Sequence, residues 1–424
     1  MYQLYSLALA LGFVLALPYF LWKGRSTGKY FRTFRDRMGA SPYPARAAGE
    51  RCVWVHAVSV GEVLAARPLV AALKERLPGW RVFLSTTTIT GNAVAARSVA
   101  ADGLFYAPFD WPRPVRAALA ALDPTLLVLM EREIWPNLIH EAHRRGARVA
   151  VVNGRLSERS SSRYRLVGVF LRRVLGEVHL FLMQAPPHAE RILDLGARAS
   201  RVQVTGNLKF DAAEAPPPSE ALQSRFGPSA RGHRPLFVAG STTSGEEELV
   251  LAAFRIVLGR VPEAALLLVP RHPERFELVP PLVASRGLRC LRRSALEPGG
   301  WRDEEVVLLD TLGELASLYA LADVVFVGGS LVPSGGHNIL EPAAAGRPVI
   351  VGPHMENFQE IADQFRAAGA LVQVADAREL GEEVGALLLD PSRRRELGGR
   401  GRRLVEDNRG AVRRTVDALV ALVA

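Results

Sequence analysis

Residues 52–86 read CVWVHAVSVGEVLAARPLVAALKERLPGWRVFLST, which is a short apolar run, an amphipathic stretch and a second short apolar run. Apolar runs of about four to eight residues are typical of buried strands, and the stretch between them has the length of a helix. The same alternation continues to residue 210. It predicts a series of strand–helix–strand units on one parallel β-sheet.

A second series of the same kind begins at residue 235 with PLFVAGS and continues towards the C-terminus. Between the two series, residues 211–234 are rich in Pro, Ser and charged residues, which is typical of an interdomain linker. A chain of 424 residues exceeds the usual size of one hydrophobic core. We therefore predict two Rossmann-like domains, residues 51–210 and 235–424, with a ligand-binding cleft between them.

The charge balance and the cysteine count restrict the class of protein. Lys and Arg outnumber Asp and Glu by 53 to 43, which favours an acidic partner such as a nucleic acid, an anionic bilayer or a phosphorylated substrate. Because the basic residues are dispersed and no recognition motif is present, a nucleic-acid partner is not expected. Cys52 and Cys290 are the only cysteines, so neither a disulfide framework nor a cysteine metal site is expected. The absence of a Walker loop and of a Gly-x-Gly-x-x-Gly fingerprint weakens kinase, ATPase and dehydrogenase hypotheses.

The N-terminal stretch YQLYSLALALGFVLALPYFLW, residues 2–22, contains no charged residue and matches the length that spans a hydrocarbon core of about 30 Å. A cleaved signal peptide is the alternative, but no Lys or Arg precedes the apolar run and no small-residue cleavage site clearly follows it. We therefore predict an uncleaved transmembrane anchor at residues 1–22.

A predicted juxtamembrane segment, residues 23–50, follows the anchor, and six basic residues lie in its first part, residues 23–37. They are Lys23, Arg25, Lys29, Arg32, Arg35 and Arg37. The positive-inside tendency assigns such a segment to the cytoplasmic side, so we expect the catalytic domains in the cytoplasm. The same charges, with Tyr30, Phe31 and Phe34 among them, either contact anionic headgroups or serve as a topology signal alone.

Acidic residues follow the strands of the first half where we expect those strands to end. In HAVSVGE, residues 56–62, Glu62 is either a favourable charge at a helix start or a general base for a substrate hydroxyl. In EREIWPN, Glu131 and Glu133 flank Arg132, and one of the two glutamates is a candidate structural partner of that arginine.

Basic residues elsewhere are candidate anion ligands. Lys209, in TGNLKFD, is expected near the domain junction, where a lysine can neutralise a phosphate or a developing negative charge. A solvated surface lysine is the alternative. In PRHPER, Arg271, His272 and Arg275 follow a buried strand, and arginine there suits bidentate phosphate or carboxylate contact. A structural role at a helix start is the alternative for this group.

The densest group of candidates is FVGGSLVPSGGHNILEPAAAGRPVIVGPHMENFQE, residues 326–360. Gly335 and Gly336 precede an expected helix, whose first backbone N–H groups form an anion site without a metal. Glu341, one turn into that helix, is placed to accept hydrogen bonds from a pair of ribose hydroxyls. This part of the sequence therefore predicts a nucleotide site.

Five blocks of the sequence carry a family resemblance, namely HAVSVGE, EREIWPN, TGNLKFD, PRHPER and GGSLVPSGGHNILEPAAAGRPVIVGPH. In their order and spacing the sequence resembles the Kdo transferases, inverting glycosyltransferases that move 3-deoxy-D-manno-octulosonic acid (Kdo) from CMP-Kdo to a lipid A precursor. The resemblance covers essentially the whole chain, including the anchor. It implies the GT-B fold, in which two Rossmann-like domains face a cleft and the last helix, expected over residues 392–424, packs back on the first half.

The resemblance also implies roles for residues at the matching positions. The catalytic base falls on Glu62, and two residues assigned to transition-state stabilisation fall on Glu131 and Lys209. The CMP-binding positions fall on Pro270, Arg271, Leu312, Gly313, Glu314, Asn338, Ile339, Leu340 and Glu341. Arg132 departs from the small polar residue expected between the two glutamates.

The implied reaction belongs to lipopolysaccharide biosynthesis at the cell inner membrane. Its partners are CMP-Kdo, a lipid A precursor (lipid IVA) and inner-membrane lipids, and neither a cofactor nor a metal is expected, because GT-B enzymes generally use helix N-termini and basic side chains instead. Two alternatives stay open. One is a GT-B transferase that uses a UDP-sugar and another lipid acceptor, and the other is a non-catalytic, membrane-tethered binder of anionic ligands.

Overall fold

The computed structural model describes residues 1–27, 33–40, 43–44, 49–165, 167–213, 215–301 and 305–424, and for residues 19–27, 159 and 163 it describes the backbone alone. Of the predicted basic segment, Lys29, Tyr30, Phe31 and Arg32 and the side chains of Lys23 and Arg25 lie outside the described residues. The expectations for those groups stay predictions.

Short strands and helices alternate along the described chain. The strands are β1 (Cys52–His56), β2 (Arg81–Thr86), β3 (Gly103–Tyr106), β4 (Leu126–Met130), β5 (Arg148–Gly154), β6 (Leu180–Met183), β7 (Val202–Val204), β8 (Leu236–Thr242), β9 (Ala265–Pro270), β10 (Cys290–Arg292), β11 (Val306–Leu308), β12 (Val324–Val327), β13 (Val349–Val351) and β14 (Val372–Gln373). The helices are α1 (Tyr2–Thr27), α2 (Phe34–Arg37), α3 (Val60–Arg76), α4 (Ile89–Ser98), α5 (Pro112–Leu122), α6 (Pro136–Arg144), α7 (Glu158–Arg165), α8 (Gly168–Gly176), α9 (Pro186–Asp194), α10 (Leu208–Asp211), α11 (Glu220–Phe226), α12 (Glu246–Arg260), α13 (Val279–Ser285), α14 (Leu315–Leu318), α15 (Leu340–Ala344), α16 (Gln359–Ala367), α17 (Ala377–Leu389), α18 (Pro391–Asp407) and α19 (Ala411–Val423).

The first sheet has the strand order β3-β2-β1-β4-β5-β6-β7, and its strands pair in parallel. Every residue of β1 and β4 is buried, as expected for strands with helices on both faces of the sheet. The strand order reverses between β1 and β4. Ligands of open α/β sheets bind at such a switch point, outside the carboxyl ends of the strands.

The second sheet has the strand order β10-β11-β9-β8-β12-β13-β14 and is also parallel. Its order reverses between β8 and β12. At the end of β8 the register against β9 shifts between Gly240 and Thr242. Ser241, between them, has a φ of 58°, which residues with a side chain seldom adopt. The predicted architecture of two parallel-sheet α/β halves is confirmed, and the second switch point carries a distorted strand end.

The chain divides into two compact units, Met1–Ala212 together with Asn408–Ala424, and Ala213–Asp407. The structure differs from the plain linker expected over residues 211–234, because part of that segment folds into the second unit as α11. The side chain of Ser219 caps this helix by accepting a hydrogen bond from the backbone N–H of Leu222. Phe226 is fully buried against the ring of Trp301.

The helix expected over residues 392–424 is two helices, α18 and α19, which are separated at Gly410 with a φ of 86°. The carboxylate of Asp211 accepts hydrogen bonds from the backbone N–H groups of Gly410 (2.6 Å) and Val412 (2.8 Å). These bonds satisfy donors at the start of α19. They place α19 in the first unit, although its sequence follows the second.

Helix α1 packs on the rest of the first unit through one of its faces. The hydroxyl of Tyr2 donates to Glu177 at 2.7 Å, and the ring of Phe13 meets the edge of Trp111 at 5.2 Å between centroids. The other face carries large apolar side chains that are 60–73% exposed, namely Leu4, Leu7, Leu11, Val14 and Leu15. Over the described part of the chain, no helix has both the length and the apolar character that a membrane span requires.

Candidate active site

Two of the predicted catalytic glutamates lie at the switch point of the first sheet. Glu62 is in the first turn of α3, which follows β1, and Glu131 comes directly after β4. β1 and β4 are paired neighbours in the sheet. The carboxyl ends of parallel strands meet at one edge, so this pairing brings together two residues that are 69 positions apart.

The carboxylate of Glu62 folds back on the start of its own helix. Oε2 accepts a hydrogen bond from the backbone N–H of Val58 at 2.6 Å, and Oε1 accepts one from Oγ of Ser59 at 3.4 Å. Ser59 is the N-cap residue, and its spacing to Glu62 is that of a capping box, but the Ser59 side chain does not cap the helix and Glu62 bonds the N–H of Val58 instead of that of Ser59. The helix-start interpretation of Glu62 therefore describes its hydrogen bonds, while the base interpretation depends on its proton affinity.

Burial raises the pKa of Glu62 to about 7, and the negative charge of Glu131 adds to this rise. The Val58 N–H and the Lys209 ammonium lower the pKa and offset part of it. A general base works best when its pKa lies near the working pH, because it must take up a proton readily and still be largely ionised. The surroundings of Glu62 give its carboxyl group this property.

Glu131 lies between two cations and is only 3% exposed. Its Oε1 is 3.0 Å from Nζ of Lys209, and its Oε2 is 2.7 Å from Nε of Arg155. A buried carboxylate is tolerated when cations of this kind compensate for the lost hydration. The φ of Glu131 is 53°, and backbone strain of this kind concentrates at functional positions.

Hydrogen bonds at the start of α10 position Lys209. The side chain of Asn207 accepts a hydrogen bond from the Lys209 backbone N–H at 3.0 Å. Oδ1 of the buried Asn153, in β5, accepts one from the N–H of Leu208 at 2.9 Å. The structure thus gathers the three predicted catalytic residues into one cluster of the first unit.

Glu133 and Arg132 lie beside this cluster. Oε2 of Glu133 accepts a hydrogen bond from the indole N–H of Trp135 at 2.6 Å. Burial raises the pKa of Glu133, while Trp135 and the exposed Arg132 lower it. Arg132 therefore acts on Glu133, whereas Glu131 pairs with the two cations that lie elsewhere in the chain.

In the second unit, Arg271 and Glu341 both act electrostatically on Tyr319. Burial raises the pKa of Tyr319, and the carboxylate of Glu341 raises it further, whereas Arg271 lowers it. A Cβ atom on Gly240 would lie 2.4 Å from the Tyr319 hydroxyl, so only glycine fits at that strand end. Two predicted CMP-binding residues thus share one electrostatic environment with a buried tyrosine.

His337 belongs to the same environment. Burial, together with the charges of Arg271 and His272, lowers the pKa of His337 to about 4, so the imidazole is neutral at pH 7. A Cβ atom on Gly329 would lie 2.8 Å from the imidazole Nε2. The glycine-rich turn therefore packs directly on a neutral histidine that can act as a hydrogen-bonding group.

The predicted residues Leu312, Gly313 and Glu314 form one turn before α14. Glu314 makes two hydrogen bonds with the guanidinium of Arg293, at 3.1 Å and 2.9 Å. Leu312 is 70% exposed and Gly313 has a φ of 88°. This segment therefore presents the exposed apolar side chain of Leu312 and a carboxylate that Arg293 holds in place. Between them lies a glycine with a left-handed backbone conformation.

The other predicted CMP-binding residues lie at the end of β9 and at the start of α15. Pro270 is the last residue of β9. Nδ2 of Asn338 donates to Oε1 of Glu341 at 3.0 Å. Ile339 and Leu340 are fully buried, and the backbone N–H of Leu340 donates to Oδ1 of Asn338 at 3.1 Å.

Arg275 has a structural role. It makes two hydrogen bonds with the fully buried Glu247, at 3.2 Å and 2.9 Å, whereas the side chain of Arg271 is exposed. The structural interpretation of PRHPER therefore describes Arg275, whereas Arg271 stays a candidate anion ligand.

Three residues that contact or influence the predicted ones were not predicted from the sequence, namely Arg155, Tyr319 and Arg293. Arg155 directly follows β5, so the rule that ligand-binding residues follow parallel strands could have identified it. Tyr319 and Arg293 carry no such signal, because the carboxylates they meet come from distant positions. In the described portion, no group of three or more His, Cys, Asp or Glu side chains is arranged to hold a metal ion.

Comparison with known proteins identifies the family. A family profile described as 3-Deoxy-D-manno-octulosonic-acid transferase (kdotransferase) matches residues 32–212, and one described as Glycosyl transferases group 1 matches residues 290–404. A 3-deoxy-D-manno-octulosonic acid transferase of Bordetella pertussis is 39% identical over 98% of each chain. Another, from Haemophilus influenzae, is 37% identical over 87% of this chain and 86% of its own length. The chain belongs to the Kdo transferase family.

This Kdo transferase family member is accordingly a glycosyltransferase. Its fold is similar to that of the calicheamicin glycosyltransferase CalG4, with a TM-score of 0.54 over 88% of this chain and 98% of that one. The two sequences are 17% identical, so this likeness concerns the fold alone. The predicted GT-B architecture agrees with two parallel-sheet units and with this neighbour.

Proposed function

We propose that this Kdo transferase moves Kdo from CMP-Kdo to a lipid A precursor, lipid IVA, in lipopolysaccharide biosynthesis, with inversion at the anomeric carbon. Membership of the family supports the transfer of Kdo. The observation that carries the mechanism is the cluster of Glu62 with the Glu131–Lys209 pair at the carboxyl edge of a parallel sheet, where burial raises the pKa of Glu62.

In the proposed reaction Glu62 takes the proton from an acceptor hydroxyl as the oxygen of that hydroxyl bonds to the anomeric carbon. The bond from that carbon to the CMP phosphate breaks on the opposite face, so the configuration inverts and CMP leaves with the electron pair. Lys209 and Glu131 stabilise the charges that develop, since groups fixed before the reaction need no reorganisation. Arg271 binds the CMP phosphate, and Glu341 accepts hydrogen bonds from the ribose hydroxyls.

The direct test is transfer of Kdo from CMP-Kdo to a purified tetra-acylated lipid A precursor, with UDP-sugars as competing donors. We expect transfer from CMP-Kdo alone. Transfer from a UDP-sugar instead would favour a different GT-B transferase. Binding of CMP without any transfer would favour one of two other hypotheses, a non-catalytic binder of anionic ligands or a transferase with another acceptor.

The pH dependence of the rate gives a second test of the base. Because Glu62 must be ionised to accept a proton, kcat/KM should fall about tenfold per pH unit below about pH 7. The charge of Glu131 raises the pKa of Glu62, so Glu131→Gln should move this acid limb to lower pH, whatever it does to the maximal rate. Rate profiles of the two proteins measure the shift, and identical acid limbs would show that the limb reports another group.

Chelators test the proposed independence from metal ions. The proposed phosphate contact comes from Arg271, whose guanidinium supplies the positive charge that a divalent ion provides in other transferases. We expect EDTA to leave the transfer rate unchanged. A rate that falls with EDTA and recovers with a divalent ion would contradict this mechanism.

We further propose that α1 attaches the enzyme to the cytoplasmic face of the inner membrane, where the acceptor resides. The support is its exposed apolar face and the basic segment that follows it in sequence. A tethered enzyme gains encounters with an acceptor that stays in the bilayer.

The double variant Leu7→Glu/Leu11→Glu should abolish flotation with anionic phospholipid vesicles, because each change places a charge on the exposed face of α1. Leu389→Glu is the matched control, since Leu389 is 58% exposed and lies in the second unit. Flotation of the double variant equal to that of the control would contradict attachment through α1.

A further inference from the structure

The glycine-rich turn after β12 wraps around a carboxylate of the chain itself. The backbone N–H groups of Gly329, Ser330 and Leu331 donate to Glu246 at 2.6, 2.9 and 2.9 Å. A fourth donor, the N–H of Thr243, reaches the same carboxylate at 3.1 Å. Convergent N–H groups of this kind form an anion site, and here Glu246 fills it.

Glu246 is fully buried, and its two oxygens act only as acceptors. No ion pair in the described part of the chain involves it, so backbone dipoles stabilise its charge, together with the N-terminal end of α12, where it is the first residue. A Cβ atom on Gly328 would lie 2.7 Å from its Oε2. The turn therefore requires both the glycine and the carboxylate.

The turn is connected to the proposed CMP-binding residues. The carbonyl oxygen of Gly329 accepts a hydrogen bond from the N–H of Gly336 at 2.7 Å, two residues before Asn338. The carbonyl oxygen of Ser330 accepts one from the N–H of His354 at 2.9 Å. The position of the segment that precedes α15 thus depends on the conformation of the turn.

We propose that Glu246 is a positioning residue for donor binding, an internal anion that holds the turn at the switch point of the second sheet in the conformation that binds CMP. Its role for CMP rests on the proposed function. The N–H groups of the turn already donate to Glu246. The donor phosphate must therefore accept hydrogen bonds from other groups, and Arg271 is the first candidate.

Chemical rescue tests this role. Glu246→Ala leaves four N–H donors around an empty volume, and a turn that is ordered only a tenth of the time binds CMP about tenfold more weakly. Formate carries the same charged group and fits the volume of the missing carboxylate. We expect formate to restore CMP affinity in a saturable manner, measured by calorimetry, while chloride at equal ionic strength and neutral formamide do not.

Glu246→Gln is the matched control. Its amide fills the volume but presents N–H groups to N–H donors, so CMP affinity should fall and formate should have no effect. Wild-type affinity in Glu246→Ala, or equal rescue by formate and chloride, would overturn the proposal. If Glu246→Ala folds poorly, the yield of folded protein is compared in formate and in chloride. A higher yield in formate would support the proposal, and equal yields would overturn it.

The thermal midpoint of Glu246→Ala, measured without nucleotide, separates this inference from the proposed function. We expect formate to raise the midpoint of Glu246→Ala and to leave that of Glu246→Gln unchanged. If formate raises it while the wild-type protein binds no CMP, Glu246 holds the turn and the assignment of the donor is wrong. If the wild type binds CMP and formate has no effect on either variant, the positioning role is wrong.

Discussion

Glu62→Gln should lower kcat for Kdo transfer by about 100-fold or more, the effect expected when a general base is lost. The amide oxygen of glutamine can still accept the hydrogen bond from Val58, so the start of α3 should keep its structure. Because the proposed CMP-binding residues lie in the second unit, CMP affinity should stay within about twofold of wild type, well under the tenfold that 1.4 kcal/mol of lost binding produces.

Transfer assays and calorimetry with CMP measure the two quantities on the same preparation. Ser59→Ala is a useful control, since it removes the weaker hydrogen bond to Glu62 at 3.4 Å and leaves the carboxylate in place. If Glu62→Gln is as active as wild type, Glu62 only caps its helix. Glu131 would then be the next candidate base.

Lys209→Met should lower both the stability and the rate of the enzyme. It removes one of the two cations that the structure places on the 3% exposed carboxylate of Glu131 and leaves Arg155. Breaking a buried ion pair by removing one partner costs about 3 kcal/mol. For a unit of this size, that loss corresponds to a fall of about 8 °C in the thermal midpoint. We also expect kcat to fall about 100-fold, since a preorganised charge at the reacting centre is lost.

Lys74→Met is the matched control for this change. Lys74 pairs with Asp102 at 2.9 Å, but its side chain is 36% exposed, so the pair contributes about 1 kcal/mol or less. Scanning calorimetry and transfer assays on both variants measure the contrast. Equal midpoints for Lys74→Met and Lys209→Met would show that the Glu131–Lys209 pair does not stabilise the first unit.

Where local pattern determines structure, the sequence predicted the parallel-sheet units and the strand ends that the candidate residues follow. β1 and β4 are apolar runs because both faces of each strand are buried, so their ends, and the positions of Glu62 and Glu131, could be read directly. The segment 211–234 misled us because its Pro- and Ser-rich composition conceals the buried Phe226. A prediction from composition cannot detect one aromatic residue that packs on Trp301, 75 positions away.

The sequence by itself determined the alternation of strands and helices, the residue types at the strand ends and the five blocks that identify the family. Only the tertiary structure decided which charges meet. It joined Glu131 to Lys209 and Arg155, paired Arg275 with the buried Glu247, and placed Glu246 inside the glycine-rich turn. The physical reason is that secondary structure depends on periodic local patterns, whereas a pKa or an ion pair depends on distances and burial that arise when distant strands become neighbours in a sheet.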